Sequence, residues 1–224
     1  MDNKRMGVVV IGQSPRPSIA AEIASVLSPG MEIDLRGALD GMTRAEIDAI
    51  PPRDGSDALF TLLPNGDGVR LSKHVVEERA AAQIRRFVEE GVGVTLLACT
   101  GKFPNIETDG LVILPSAVLH NLVEAVLPKG RLGVFSPLAE QSALIHKKWE
   151  RAGVEVVGVT LQPGSDDTVV DAAAREMAAL KPDLVVMDCM GYSSANKARV
   201  RRSYGGPVVL GIATAARMVE ELVS

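Results

Sequence analysis

Short runs of valine, isoleucine and leucine recur along the whole chain, and they constrain the fold more than any other feature. They show little polar alternation, which is typical of parallel strands buried on both faces. The runs predict strands at Gly7–Ile11, Glu32–Leu35, Val92–Ala98, Leu111–Ile113, Arg131–Phe135, Glu155–Val159, Leu184–Asp188 and Val208–Gly211. Helical patterns separate most of these runs, at Ser18–Leu27, Ser72–Glu90 with Ser72 as its cap, Leu119–Val126, Ala139–Ala152, Asp167–Leu180, Ala195–Ser203 and Ala213–Val223. This alternation predicts an α/β fold with mainly parallel sheets flanked by helices.

One segment departs from the alternation. The apolar runs Ala58–Leu63 and Val69–Ser72 flank the turn sequence Asn65-Gly66. Asn-Gly between two apolar runs predicts an antiparallel hairpin. We therefore expect a hairpin insertion in the first half of the chain.

A weak internal repeat indicates two similar lobes. The segments Gly7–Pro15 and Leu132–Gln141 each lead a strand into a Ser-Pro turn, and Val92–Gly101 and Asp183–Gly191 each end a strand in Cys, one residue and Gly. We expect two pseudo-symmetric α/β lobes. The first would comprise residues 1–116 and 208–224, and the second residues 117–207.

Composition excludes several functional classes. The net charge is −4 and aromatic residues make up 3% of the chain, so nucleic acid would find neither a basic surface nor a stacking platform. No apolar run approaches the roughly 20 residues that a membrane span needs. The two cysteines and three histidines lack the spacing of a zinc site or a disulfide framework. We expect a cytoplasmic protein that needs no cofactor or metal, binds no nucleic acid or membrane, and could form a homodimer.

The two cysteines stand where chemistry is expected. Cys99 and Cys189 directly follow predicted strands, and ligands of parallel α/β sheets bind beyond the carboxyl ends of strands. Gly101 and Gly191 follow two residues later and permit close backbone approach or positive φ. If the lobes face each other, one thiolate could remove a proton from a carbon while the opposite thiol delivers one. A helix starting after each turn would stabilise a thiolate, whereas the alternative interpretation is inert packing of a small apolar side chain.

The loop after the first predicted strand reads Gly-Gln-Ser-Pro-Arg. Ser14 could cap the next helix, Pro15 fits its first turn, and Arg16 could hold a carboxylate with two hydrogen bonds. An ordinary capped helix with a solvated arginine explains the same residues. Ser136 occupies the corresponding position in the second half and allows the same two interpretations.

Neighbours of the cysteines add further candidates. Thr100 offers a hydroxyl donor, and the positive charge of Lys102 would favour a nearby thiolate. Asp188 would disfavour a thiolate at Cys189 unless strand alternation directs its side chain to the opposite face. We expect Ser194 to cap the following helix, and Lys147-Lys148 to belong to a solvated helix face.

The segments IGQSPRP, LLACTGKFP and VVMDCMGYS, with TLLPNGDG and AARMVEELV, resemble the AroM family of bacterial proteins in order and spacing over essentially the whole chain. That family resembles the aspartate/glutamate racemase superfamily, which includes hydantoin racemases, maleate isomerase and arylmalonate decarboxylase. The resemblance implies one strand-tip cysteine per lobe, Cys99 and Cys189, with Thr100 in a carboxylate-binding turn and Ser14 in a loop that lines the cleft. The second turn departs from the Gly-Cys-Thr-His pattern of those racemases, because Met190 and Gly191 follow the cysteine.

Together these observations predict a cofactor-independent racemase or isomerase that acts on a small carboxylate-containing molecule, with Cys99 and Cys189 as opposed acid and base. The expected substrate-binding residues are Ser14, Arg16, Thr100, Gly101, Ser136 and Gly191. Two alternatives remain open: a single-cysteine isomerase or decarboxylase, and a non-catalytic small-molecule-binding protein on the same scaffold.

Overall fold

The computed structural model describes residues 5–104, 106–139 and 142–223. It contains two four-stranded parallel sheets and one antiparallel strand pair, which confirms the predicted α/β class. Contacts divide the chain into two units, Met1–Ser116 with Ala215–Ser224 and Ala117–Thr214. Among the helices of the described segments, none is both long enough and apolar enough to cross a membrane.

The first unit is built on a parallel sheet with the strand order β2-β1-β5-β6. Its elements are β1 (Arg5–Val10), α1 (Pro17–Ala24), β2 (Glu32–Gly37), α2 (Arg44–Asp48), β3 (Ala58–Leu62), β4 (Gly68–Ser72), α3 (Lys73–Glu89), β5 (Val94–Ala98) and β6 (Leu111–Ile113). Strands β3 and β4 form the predicted antiparallel hairpin, with Ala58 paired to Ser72 and Leu62 to Gly68. Buried side chains including Leu71, Ile84 and Phe87 form a core of this unit.

The second unit is built on a parallel sheet with the order β10-β9-β7-β8. Its elements are α4 (Pro115–Val126), β7 (Gly130–Ser136), α5 (Ser142–Trp149), β8 (Val154–Thr160), α6 (Asp167–Ala179), β9 (Leu184–Met187), α7 (Ser194–Tyr204), β10 (Val208–Leu210) and the first residues of α8 (Gly211–Val223). The predicted helix Ala139–Ala152 includes Glu140 and Gln141, which lie outside the described residues. Leu132, Trp149 and Val186 belong to a core of this unit.

The two parallel sheets have the same topology. Read from its other edge, the second sheet runs β8-β7-β9-β10, so β7 corresponds to β1, β8 to β2, β9 to β5 and β10 to β6. This is the arrangement that the internal repeat predicts. It places the strands that precede the two cysteines, β5 and β9, at equivalent positions of the two sheets.

The end of the chain differs from the prediction that assigned residues 208–224 to the first lobe. Strand β10 pairs in parallel with β9, from Val208 with Val185 to Leu210 with Met187. Residues up to Thr214 therefore belong to the second unit, and only the segment from Ala215 onward belongs to the first. The repeat revealed strand order within each half but not the partner of the last strand.

Two local predictions about helix starts also need correction or addition. Ser72 precedes α3, but its side chain forms no capping hydrogen bond, and Asp57 Oδ1 instead accepts the backbone N–H of His74 at 3.1 Å. The short helix α2 was not predicted. Thr43 and Glu46 form a reciprocal capping box at its start, and that Thr-x-x-Glu spacing is visible in the sequence.

Candidate active site

Cys99 lies at the carboxyl end of β5. Its backbone N–H donates to the carbonyl of Leu97 at 2.7 Å, and its partly buried side chain packs against the core of the first unit. The backbone N–H of Gly101 donates to the Cys99 sulfur at 3.4 Å. A hydrogen bond from a backbone N–H stabilises the charged form of a thiol more than the neutral form.

Cys189 has the same local arrangement at the equivalent strand. It follows Asp188 at the end of β9, and the backbone N–H of Gly191 donates to its sulfur at 3.5 Å. Like Cys99, Cys189 forms no disulfide, and its side chain is partly exposed. Each unit therefore presents, beyond a corresponding strand, a cysteine whose sulfur accepts the N–H of the residue two positions later.

Close packing explains the glycine in both turns. Neither Gly101 nor Gly191 has a positive φ. A Cβ atom at Gly191 would lie 2.8 Å from Cβ of Pro163, and one at Gly101 would lie 3.2 Å from the ring of Phe103. Of the two roles expected for these glycines, close approach is the one that the structure supports.

The residue before each cysteine distinguishes the two turns. Asp188 is buried, and both of its carboxylate oxygens accept hydrogen bonds from Lys148 Nζ, at 2.8 and 2.7 Å. Trp149 Nε1 donates to the same carboxylate at 2.9 Å. The corresponding residue before Cys99 is Ala98, which is buried with 4% exposure and has no polar side-chain atoms.

Lys148 corrects one prediction. The Lys147-Lys148 pair was expected on a solvated face, but the Lys148 side chain is only 13% exposed because it turns inward to Asp188. Its ammonium group also lies 5.3 Å from the centre of the Trp149 ring, and His120 stacks on that ring at 5.9 Å. Lys148 and Trp149 of α5 thus form a buried polar cluster with Asp188, next to the Cys189 turn; we call it the cluster behind Cys189.

Tyr192 completes the Cys189 turn. Its side chain is 1% exposed, and its hydroxyl donates to the carbonyl of Leu161 at 2.6 Å. Burial raises the Tyr192 pKa well above its ordinary value, and the negative charges of Cys189 and Asp188 add to this effect. Tyr192 therefore stays neutral and fastens the turn to the segment that follows β8.

In the first unit, Ser14 is bound by an aspartate that the sequence analysis did not identify. The Ser14 hydroxyl donates to Asp40 Oδ2 at 2.8 Å, and its backbone N–H donates to Asp40 Oδ1 at 2.7 Å. The prediction that Ser14 caps α1 is wrong, because Arg16 occupies the N-cap position without a side-chain bond and Pro17, not Pro15, opens the helix. The single hydroxyl proton of Ser14 is engaged by Asp40, so in this geometry Ser14 can only accept a hydrogen bond from a ligand.

Arg16 is held by the hairpin. Its Nη1 donates to the carbonyl of Leu62 at 2.7 Å and to Thr61 Oγ1 at 3.2 Å. The interpretation of a solvated arginine is therefore wrong. The hairpin fixes the position of a cationic side chain in the loop that follows β1.

Two further side chains hold the loop after β2, Gln13 from the loop after β1 and Arg79 from α3. Gln13 Nε2 donates to the carbonyl of Met42 at 2.7 Å, and Arg79 Nε donates to that of Ala38 at 2.7 Å. No sequence pattern identified Gln13, Asp40, Thr61, Arg79 or Trp149. Asp40 could have been found, because it follows a predicted strand at the same sheet edge as Ser14.

The remaining predicted residues are distributed as follows. Thr100 is partly buried beside Cys99, and Lys102 is exposed. Ser136 is the buried last residue of β7, and its carbonyl accepts the N–H of Leu161 at 2.9 Å. Ser193, rather than the predicted Ser194, caps α7.

The expected helix after each cysteine turn occurs only once. Helix α7 follows the Cys189 turn, whereas within the described residues the next element after Cys99 is strand β6. Across residues 5–104, 106–139 and 142–223, no group of three or more His, Cys, Asp or Glu side chains is arranged to hold a metal ion.

The family model described as AroM protein matches residues 6–223. No curated protein matches this chain. Because the match to the family model spans nearly the whole sequence, the chain belongs to the AroM family, as the motif resemblance predicted.

Solved structures of racemases and an isomerase share the fold. Allantoin racemase from Klebsiella pneumoniae is 21% identical with a TM-score of 0.65, over 98% of this chain and 87% of that protein. Glutamate racemase from Francisella tularensis, in complex with D-glutamate, is 16% identical with a TM-score of 0.60, over 100% of this chain and 82% of that protein. Maleate isomerase from Pseudomonas putida is 16% identical with a TM-score of 0.62, over 97% of this chain and 92% of that protein.

Proposed function

We propose that this member of the AroM family is a cofactor-independent racemase or isomerase for a small carboxylate-bearing substrate, with Cys99 and Cys189 as its acid and base. One observation carries the proposal: the same Cys-x-Gly turn, with an N–H bonded to sulfur, ends corresponding strands in both units. The fold shared with allantoin racemase, glutamate racemase and maleate isomerase supports it.

The proposed chemistry needs one thiolate and one thiol. The thiolate takes the proton from the carbon next to the carboxylate, so that a C–H bond breaks, an S–H bond forms and the electron pair stays on the substrate. The opposite thiol then gives its proton to the other face of the same carbon and becomes the thiolate. Protons and charge balance over the cycle, and the centre is inverted without any redox step.

The N–H groups of Gly101 and Gly191 support this role. In each turn the glycine N–H stabilises the negative charge of the cysteine sulfur when that cysteine is the thiolate. This stabilisation is stronger in a partly buried site than in water. We assign the substrate carboxylate to the loops beside these turns. Arg16 would supply positive charge and Thr100 a hydroxyl group, while Ser14, which already donates to Asp40, would only accept.

One observation favours a second candidate, a single-cysteine isomerase or decarboxylase. The charged cluster behind Cys189 has no equivalent at Ala98, so the two thiols stand in unequal surroundings. In this alternative one cysteine acts on the substrate, and the other is dispensable.

Proton NMR in deuterium oxide tests the proposal. Each member of a panel of single-enantiomer amino, hydroxy and dicarboxylic acids is incubated with the protein, and the signal of the proton next to the carboxylate is followed. We expect that signal to disappear for at least one compound and the opposite enantiomer to accumulate.

Cysteine variants then separate the candidates. Cys99→Ala and Cys189→Ala should each abolish inversion if two bases are needed, whereas one dispensable cysteine favours the alternative. Ser203→Ala, at an exposed position of α7, is the matched control and should keep full turnover. Full turnover with both cysteines replaced would contradict every cysteine mechanism, and tight carboxylate binding without exchange would indicate a binding protein.

A further inference from the structure

The buried cluster behind Cys189 has no part in the reaction as written above. Lys148 reaches both carboxylate oxygens of Asp188, Trp149 donates to one of them, and Ala98 is the corresponding residue in the first unit. We propose that Lys148 and Asp188 are positioning residues that fix the Cys189 turn and balance its charge, so that the buried carboxylate does not suppress the Cys189 thiolate. This inference rests on the proposed function only in treating Cys189 as a reacting group.

The geometry fixes the backbone directly before the sulfur. The Asp188 N–H donates to the carbonyl of Phe135 at 3.1 Å, which continues the pairing of β9 with β7. The Asp188 side chain is held by three hydrogen bonds to α5 and is fully buried. A residue held on both its backbone and its side chain leaves little freedom to its neighbour Cys189. No comparable side-chain anchor is available to Ala98.

Charge balance follows from the same contacts. A lone carboxylate one residue away would disfavour a thiolate on Cys189, and the Lys148 ammonium, at hydrogen-bond distance, offsets it. The titratable and polar groups around the carboxylate come from three elements. Helix α5 supplies Lys148 and Trp149, α4 supplies His120 through its contact with the Trp149 ring, and the turn supplies Tyr192, which is neutral.

Alkylation by iodoacetamide measures this effect without any substrate. The rates at Cys99 and Cys189 are followed against pH by peptide mass spectrometry, so that Cys99 serves as the control within each molecule. Lys148→Met should slow alkylation of Cys189 at neutral pH about three- to tenfold, by moving its midpoint up by about half to one pH unit. Asp188→Asn should shift the midpoint in the opposite direction. Lys148→Arg, which keeps the positive charge, should stay close to the wild type.

Two further variants keep the test decisive. Lys147→Met removes a charge from the exposed neighbouring position and should leave both profiles unchanged. The double variant Asp188→Asn with Lys148→Met buries no unpaired charge, and its Cys189 midpoint should return to within about 0.3 pH units of the wild type. A midpoint of the double variant that lies further than this from the wild-type midpoint would overturn the proposal. This comparison with the wild type holds even if a single variant does not fold.

Other outcomes are equally clear. An unchanged Cys189 profile in Lys148→Met and Asp188→Asn, or equal shifts at both cysteines, would overturn the inference. Alkylation does not depend on turnover. An absence of substrate exchange would therefore count against the proposed function, and a selective shift at Cys189 would still uphold the charge-balanced turn.

Discussion

The turns that carry Cys99 and Cys189 share a backbone and differ in what lies behind it. Both place a glycine N–H on the sulfur at the end of a corresponding strand. Behind Cys99 the chain packs apolar side chains, and behind Cys189 it buries an aspartate against a lysine and a tryptophan. A repeated fold can therefore preserve the placement of a sulfur atom while its electrostatic surroundings diverge.

Replacing Lys148 should change the free energy of unfolding more than the other substitutions in these two turns. Lys148→Met leaves Asp188 buried without its cationic partner, and we expect a loss of about 3–5 kcal/mol in the free energy of unfolding. Urea denaturation followed by circular dichroism measures it. Lys147→Met, at an exposed position, should change stability by less than about 0.5 kcal/mol.

A second variant replaces Asp188 by alanine, the residue that precedes Cys99, and tests whether the loss of stability comes from the unpaired charge. The double variant Asp188→Ala with Lys148→Met should be more stable than Lys148→Met alone, because no unpaired charge remains. If the double variant were the less stable of the two, Asp188 would stabilise the turn even without the lysine, through its packing and its hydrogen bond from Trp149.

Adding a methyl group to each glycine compares the packing of the two turns. Gly191→Ala would place Cβ 2.8 Å from a proline ring, and we expect a loss of about 2 kcal/mol. Gly101→Ala meets movable side chains of Phe103 and Leu59 at 3.2 and 3.3 Å and should cost less than about 1 kcal/mol. Thermal unfolding of both variants decides the order, and equal losses would contradict the difference in packing.

The helix after the second turn provides a smaller test. Ser193 accepts the N–H of Asn196 at 3.1 Å, and Ser193→Ala should lower stability by about 1 kcal/mol. Ser194→Ala, at the exposed next residue, is the matched control and should have little effect on the urea midpoint. A larger loss from Ser194→Ala would restore the sequence-based choice of cap.

The contribution of Asp34, in the first unit, to stability should depend on pH. Burial raises the Asp34 pKa, but hydrogen bonds and charge from Arg36 and Arg5 outweigh it and hold the pKa below its ordinary value. A lowered carboxyl pKa contributes stability that is present above the unfolded value of 3.8 and is lost as pH falls through the folded value.

Asp34→Asn should therefore cost about 0.5 kcal/mol at pH 7, a modest figure because the group is partly exposed, and the cost should fade in strong acid. Urea titrations of the variant and the wild type at pH 7 and below pH 3 measure the difference. A cost that is the same at both pH values would show that the carboxylate charge plays no part.

Sequence patterns predicted the sheets and the cysteine positions well, for a physical reason. Apolar runs and Cys-x-Gly turns are local signals. Because ligands of parallel sheets bind beyond the carboxyl ends of the strands, Cys99 and Cys189 could be placed there from the sequence. The partners of Ser14, Arg16 and Lys148 could not be predicted, because Asp40, Leu62 and Asp188 reach them only through tertiary packing. The pairing of β10 escaped prediction for the same reason.

The sulfur-bound amides of Gly101 and Gly191 also serve as built-in spectroscopic reporters. An amide proton that donates to sulfur is deshielded further when the sulfur gains a negative charge, so each glycine resonance records the ionisation of its own cysteine. Glycine amides resonate in a sparsely populated region of a nitrogen–proton correlation spectrum. One pH series on the protein with unmodified cysteines would therefore yield two titration curves, one for each turn, without a dye or a substrate.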